Sequence, residues 1–155
     1  MATMVGLHGD LKAVLHQVIE LDYDAVEAYR AAIARLEDAD AKAALTGFMG
    51  DHERHVREVG DHLRAMGGEP PTGADAKRVL TQGKVVIAGL LGDRAILVAM
   101  KTNEDDTNTA YERVSARNDT SSELKALLNA NLEDERRHRR WIEQRLARPQ
   151  AAAHP

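Results

Sequence analysis

The chain has 155 residues, enough for one domain with its own core and too few for two independent ones. Its 21 Lys+Arg against 25 Asp+Glu leave a net charge of -4, too small and too mixed for a general nucleic-acid binder. The absence of cysteine excludes disulfides, thiolate metal sites and cysteine nucleophiles, and agrees with a cytoplasmic location.

The opening "MATMVGLHGDLK" lacks both a basic leader and an apolar core, so it does not read as a signal peptide. The first predicted helix follows. Leu11, Leu15, Val18, Asp22, Ala25, Tyr29, Ala32 and Leu36 advance by steps of four and three, which draws one stripe along roughly 30 helical residues. After an expected turn at "EDADAKA", the second helix carries Ala41, Leu45, Phe48, His52, Val56, Val59, Leu63 and Met66. It stops at Gly67-Gly68, with Pro70-Pro71 behind.

"GGEPPTGA" reads as a linker and "DAKRVLTQGKVVIAGLL" as an extra, less regular helix on a long crossover. The apolar run "VVIAGLLG", bounded by Lys84 and Asp93, is too short to cross a bilayer, so no membrane partner is expected. Gly92-Asp93 predicts a stop followed by an N-cap. The third long helix carries Leu97, Met100, Glu104, Thr107, Tyr111 and Val114. "ARNDTSSE" breaks it, with Ser121 or Ser122 as the next cap, and the fourth carries Leu124, Leu128, Asn131, Glu135, His138 and Ile142. Residues 1–148 are thus expected to form a single domain and 149–155 a frayed tail.

No segment alternates as a strand does, so the expected fold is all-α: two short-looped helical hairpins joined by a long crossover into a four-helix bundle. Polar residues of ligand type interrupt every stripe near mid-length: Asp22, then His52 with His55, then Glu104, then Glu135 with His138. Buried carboxylates are costly unless paired, so four interruptions at one level imply a shared cause. Reflection about a turn near residue 39 places Asp22 opposite His55, and reflection about residue 119 places Glu104 opposite Glu135 within one helical turn of ~5.4 Å.

The halves repeat one another. Asp22 precedes Tyr29 by seven residues and Glu104 precedes Tyr111 by seven, so "DYDAVEAYR" can be laid over "EDDTNTAYER". His52 and His55 follow Tyr29 by 23 and 26 residues, and Glu135 and His138 follow Tyr111 by 24 and 27.

This layout resembles the ferritin-like superfamily of rubrerythrins and bacterioferritins, in which two helices each give a Glu and two others each give Glu-x-x-His around a pair of irons. "GGEPP", "LTQGKVVIAGLLGD" and "AYER" are similar to small bacterial proteins of that kind, and the likeness covers about residues 10 to 146. It implies a metal site at Asp22, His52, His55, Glu104, Glu135 and His138, one or two Fe ions with Zn or Mn as substitutes, and O2 or peroxide as reactants in ferroxidase- or peroxidase-type oxidoreductase chemistry. The second half matches the superfamily's pattern fully. The first departs twice, with Asp at residue 22 and His at residue 52 where Glu is usual, which removes one negative charge and favours a single ion or an unequal pair.

Glu27 is the first alternative to Asp22, while Glu20, Asp24 and Glu112 lie off the stripes. Tyr29 and Tyr111 read as core residues. The arginines from Arg136 to Arg148 read as partners of Glu133, Asp134, Glu143 and the helix C-terminus, with no nucleic acid implied. A homodimer is compatible with the pattern. The competing reading is a metal-free bundle serving as a binding or assembly protein of a bacterial stress response, its polar layer fixing the register of the helices.

Overall fold

The computed structural model describes residues 3–7, 9–73 and 87–149. Among them are four long helices, α1 (Leu11–Arg35), α2 (Ala39–Ala65), α3 (Asp93–Ser115) and α4 (Ser122–Ala147), a short 3-10 turn at Ile87–Gly89, and no strand. The chain is an all-α four-helix bundle. Most of the predicted crossover helix falls outside the described residues, as does the tail after residue 149. Among the described residues no helix is long and apolar enough to cross a membrane.

Three of the four long helices begin where a side chain can satisfy their first free N–H groups. Asp10 accepts from Ala13 N–H at 3.1 Å, Asp38 from Asp40 and Ala41 at 2.8 and 3.1 Å, and Ser121 from Leu124 at 3.1 Å. The strong cap at Asp38 starts α2 at Ala39, so the first turn is shorter than "EDADAKA", and most of that stretch is helix. Asp93 also differs from its expected capping role. Gly92 occupies the cap position with φ +87°, and the Asp93 carboxylate reaches across to accept Glu37 and Asp38 N–H, both at 2.9 Å.

That contact fixes the topology. The start of α3 lies beside the α1–α2 turn, and the end of α4 joins it through the Arg145–Asp38 ion pair. At the other end Arg113 of α3 donates to the carbonyls of Thr3 and Val5 at 2.7 and 2.9 Å. The helices therefore run up, down, down, up, with α2 ending and α3 beginning at opposite ends of the bundle. α1 packs on α2 and α3 on α4 within the hairpins, while α1 meets α3 and α2 meets α4 across them.

The core is divided. One apolar cluster, including Ala32, Leu45, Phe48, Ile96, Met100 and Ile142, fills the end near the α1–α2 turn. A second, including Leu15, Val18, Val59, Leu63, Val114 and Leu128, fills the other. Burial of such side chains supplies about 1.5–3 kcal/mol each, so two apolar ends can carry a polar layer between them.

α2 ends in a Schellman motif: Gly67, with φ +80°, donates to Arg64 O and Gly68 to Leu63 O, both at 2.9 Å. A Cβ at Gly68 would meet Leu63 Cδ1 at 2.3 Å and Cγ at 2.9 Å. Because Leu63 is buried, Gly68→Ala should lower stability by about 1–3 kcal/mol in urea denaturation.

Candidate metal centre

Between the two apolar clusters, Asp22, His52, His55, Glu104, Glu135 and His138 are all fully buried. Helical periodicity puts them there. Asp22 lies one step of the stripe from Val18 and Ala25, as Glu104 does from Met100 and Thr107, so each carboxylate must point where its apolar neighbours point.

The residues form two groups that share His52 and Glu135. Asp22, His52, His55 and Glu135 make the first, and His52, Glu104, Glu135 and His138 the second. In the first, Asp22 Oδ1 is 2.8 Å from His52 Nδ1 and 3.5 Å from His55 Nδ1, and Glu135 Oε1 is 3.4 and 3.2 Å from the same two atoms. Four donors at the corners of a tetrahedron around one ion, each about 2.0–2.1 Å from it, are about 3.3 Å apart. Those four histidine–carboxylate distances already lie near that spacing. The second is looser: Glu104 Oε1 is 3.3 Å from His52 Nε2 and 3.5 Å from His138 Nδ1, which is 3.8 Å from Glu135 Oε2.

Three of the inward atoms, His55 Nδ1, His138 Nδ1 and Glu135 Oε1, are buried without an aligned hydrogen-bond partner among the described residues. Each is close to other donors in distance and none is satisfied by them. Buried polar atoms are paired in the great majority of cases, so orphans within the two ligand groups, His55 Nδ1 and Glu135 Oε1 in the first and His138 Nδ1 in the second, fit bound cations.

The far sides of His55 and His138 are held. His55 Nε2–H donates to Asp134 at 3.0 Å, and His138 Nε2–H donates to Asp51 at 2.8 Å. These bonds cross between α2 and α4 and leave Nδ1 as the inward ligand atom, as outer carboxylates do for metal-binding imidazoles. Arg54 donates to Asp51 at 2.9 Å and pairs with Asp134, while Arg137 donates to Asp51 at 2.6 Å and Asp134 at 3.2 Å. Asp51→Ala or Asp134→Ala should weaken metal affinity about 10–100-fold, read by competition with a chelator, with the helical content unchanged.

Hydroxyl groups orient the carboxylates. Tyr29 Oη–H donates to Glu104 Oε1, Tyr111 to Asp22 Oδ2 at 2.6 Å, and Thr107 to Glu135 Oε2 at 2.8 Å. Both tyrosines belong to the core as expected, and they also tie α1 to α3 in a reciprocal pair. Burial, and then the adjacent carboxylates, push their hydroxyls well above the ordinary value, so they stay protonated as donors.

The same packing sets the charges. Burial alone would raise the carboxyls of Asp22 and Glu104, but the facing histidines outweigh it and hold both below the ordinary range. Burial alone would lower the imidazoles; neighbouring carboxylates instead lift His55 to about 10, His138 to about 9, and His52 well above its ordinary value. Without metal the packing favours imidazoliums facing the Asp22 and Glu104 carboxylates.

Glu27, the alternative to Asp22, lies outside this cluster, half-buried and paired with Arg30. Glu112 is exposed. The residues that sequence reasoning passed over are Asp51 with Arg54 and Asp134 with Arg137, and the signal was present: "DHERH" and "DERRH" share D-x-x-R-H, ending on His55 and His138. Asn108, which donates to the backbone carbonyls of Glu104 at 2.7 Å and Glu135 at 3.0 Å, lies off the stripe and carries no such signal.

Residues 10–117 match the family described as a domain of unknown function (DUF2383). The chain belongs to that family. The DUF2383 match takes in α1, α2 and α3, with Asp22, His52, His55 and Glu104, and ends before α4, which supplies Glu135 and His138. No curated protein and no solved structure matches the chain.

Proposed function

We propose that this DUF2383 chain is a ferritin-like metal-binding protein that holds one or two iron ions in the buried layer and uses them in ferroxidase- or peroxidase-type chemistry. The observation that carries the reading is the set of orphaned inward atoms, His55 Nδ1, His138 Nδ1 and Glu135 Oε1, with both outer ring nitrogens held by aspartates. The up, down, down, up order of the four helices supports the ferritin-like assignment.

Bound iron supplies one-electron exchange with O2 or peroxide. The chain's own part is to bind and to orient. His55 and His138 offer neutral Nδ1 once their protons have left, and Asp134 and Asp51 fix the rings. Tyr29, Tyr111 and Thr107 hold the carboxylates of Glu104, Asp22 and Glu135 in place. Apolar clusters on either side limit water. Mixed oxygen and nitrogen donors suit Fe, Mn and Zn, and the absence of thiolate argues against a soft-metal site.

The arginines of α4 support a reading without nucleic acid. Arg136 pairs with Glu133 at 2.7 Å, and Arg137 pairs with Asp51 and Asp134. A cytoplasmic protein, alone or as a homodimer, is consistent with these features.

The competing reading, a metal-free binding or assembly protein, has one observation of its own. Without metal the buried histidines and carboxylates can pair with one another, His52 donating to Asp22 at 2.8 Å. Anaerobic Fe(II) titration followed by exposure to O2 separates the two. Wild type should bind Fe(II) saturably and oxidise it, while Glu135→Ala and His138→Ala should each lose most binding with helical content intact. Protein that stays metal-free when offered Fe(II), Mn(II) or Zn(II) would establish the metal-free reading.

A further inference from the structure

His55 and His138 each aim one ring nitrogen inward and give the other to an outer aspartate. His52 is different. Its Nδ1 faces Asp22 and Glu135 at 2.8 and 3.4 Å, its Nε2 faces Glu104 at 3.3 Å, and both atoms lie inside the layer. The two ligand groups meet at this ring and at Glu135, whose Oε1 and Oε2 likewise face different groups. His52 and Glu135 hold equivalent places in the two halves, each three residues before His55 and His138.

We propose that His52 is a bridging ligand, its Nδ1 serving one cation with Asp22, His55 and Glu135 while its Nε2 serves a second with Glu104, His138 and Glu135. The proposal rests on the metal-centre reading and specifies its nuclearity. Charge favours it. Asp22, Glu104 and Glu135 together carry three negative charges, one short of balancing two divalent ions. An imidazole bound through both nitrogens has released both ring protons to solvent and carries one more. The bridge therefore restores the balance that a fourth carboxylate would provide. The lone pairs of an imidazole diverge more than those of a carboxylate, so the ions should sit farther apart than the about 3.5–4 Å common in two-metal sites.

Full-length protein stripped with chelator and titrated with Zn(II) in native mass spectrometry tests this directly. An Asn amide reaches the position of Nδ1 and a Gln amide that of Nε2. Wild type should take up two Zn(II) ions, and His52→Asn and His52→Gln one each. Adding His55→Ala should remove the ion kept by the Asn variant, and adding His138→Ala the ion kept by the Gln variant. A second measurement needs no variant: in electron paramagnetic resonance of wild type, the first equivalent of Cu(II) should raise the signal and the second lower it by magnetic coupling. A single Zn(II) in wild type, two in both His52 variants, or a Cu(II) signal that doubles would each overturn the bridge and leave the metal centre standing. No Zn(II) in wild type would remove both.

Discussion

Metal-free protein should be most stable between about pH 4.5 and 6.5 and lose stability as the pH rises toward 10, whereas metal-loaded protein should not follow that decline. The sign comes from the buried layer. His55, His138 and His52 have values raised above the ordinary 6.5, the first two to about 10 and about 9. Their contribution is fully present below 6.5, where folded and unfolded chains are both protonated, and is lost as the pH passes through the folded values. Asp22 and Glu104 are lowered from 3.8 and 4.5, so their contribution is present above those values and is lost on further acidification. Each group protonated in the folded chain and not in the unfolded one gives a slope of about 1.4 kcal/mol per pH unit. Cations compete with protons for the same nitrogens, so their affinity rises over the interval in which the metal-free protein weakens. Melting temperatures of chelator-treated and Zn(II)-loaded protein should diverge above pH 6.5. A metal-free melting temperature that stays flat from pH 6.5 to 9.5 would contradict the charged layer.

A protein with an apolar layer should melt at least as high as the metal-free wild type. The variant carries Asp22→Leu, His52→Leu, Glu104→Leu, Glu135→Leu and His138→Leu, together with Tyr29→Phe and Tyr111→Phe, because both hydroxyls would otherwise lose their carboxylate partners. Thr107 keeps a hydrogen bond to Glu104 O, and His55 keeps Asp134. Replacing a buried ionic set by apolar groups of similar volume is often neutral or stabilising by about 1–4 kcal/mol. The variant should stay helical, melt cooperatively and bind no metal. If it loses a unique fold while the wild type binds no metal, the layer serves to set the register of the helices.

The stripes were legible because helical packing is periodic. The apolar positions singled out on α3 and α4 are all buried, and the polar interruptions on the same stripes are buried with them. Reflection about the turns worked for the same reason, since two straight antiparallel helices pair residues at equal distances from their loop. Asp22 opposite His55 is the clearest case, at 3.5 Å. Pairing across the hairpins was not legible. That Tyr29 reaches Glu104 and Tyr111 reaches Asp22 depends on α1 and α3 lying antiparallel, which sequence periodicity along single helices does not specify. Asp51 and Asp134 escaped for another reason. They lie one residue before His52 and Glu135 on a half-exposed edge, where a carboxylate next to arginine looks like an ordinary surface pair, and only the repeated D-x-x-R-H distinguishes them.

We propose that the buried carboxylates and histidines are metal ligands. Anomalous diffraction at the zinc edge from crystals of chelator-treated protein grown with Zn(II) tests it most directly, because it reports position as well as presence. One peak is expected within bonding distance of Asp22, His55 and Glu135 and another near Glu104, His138 and Glu135, with Asp134 and Asp51 still bonded to the outer ring nitrogens. A buried layer without anomalous signal, in crystals whose only zinc lies at surface residues such as His16, would contradict it.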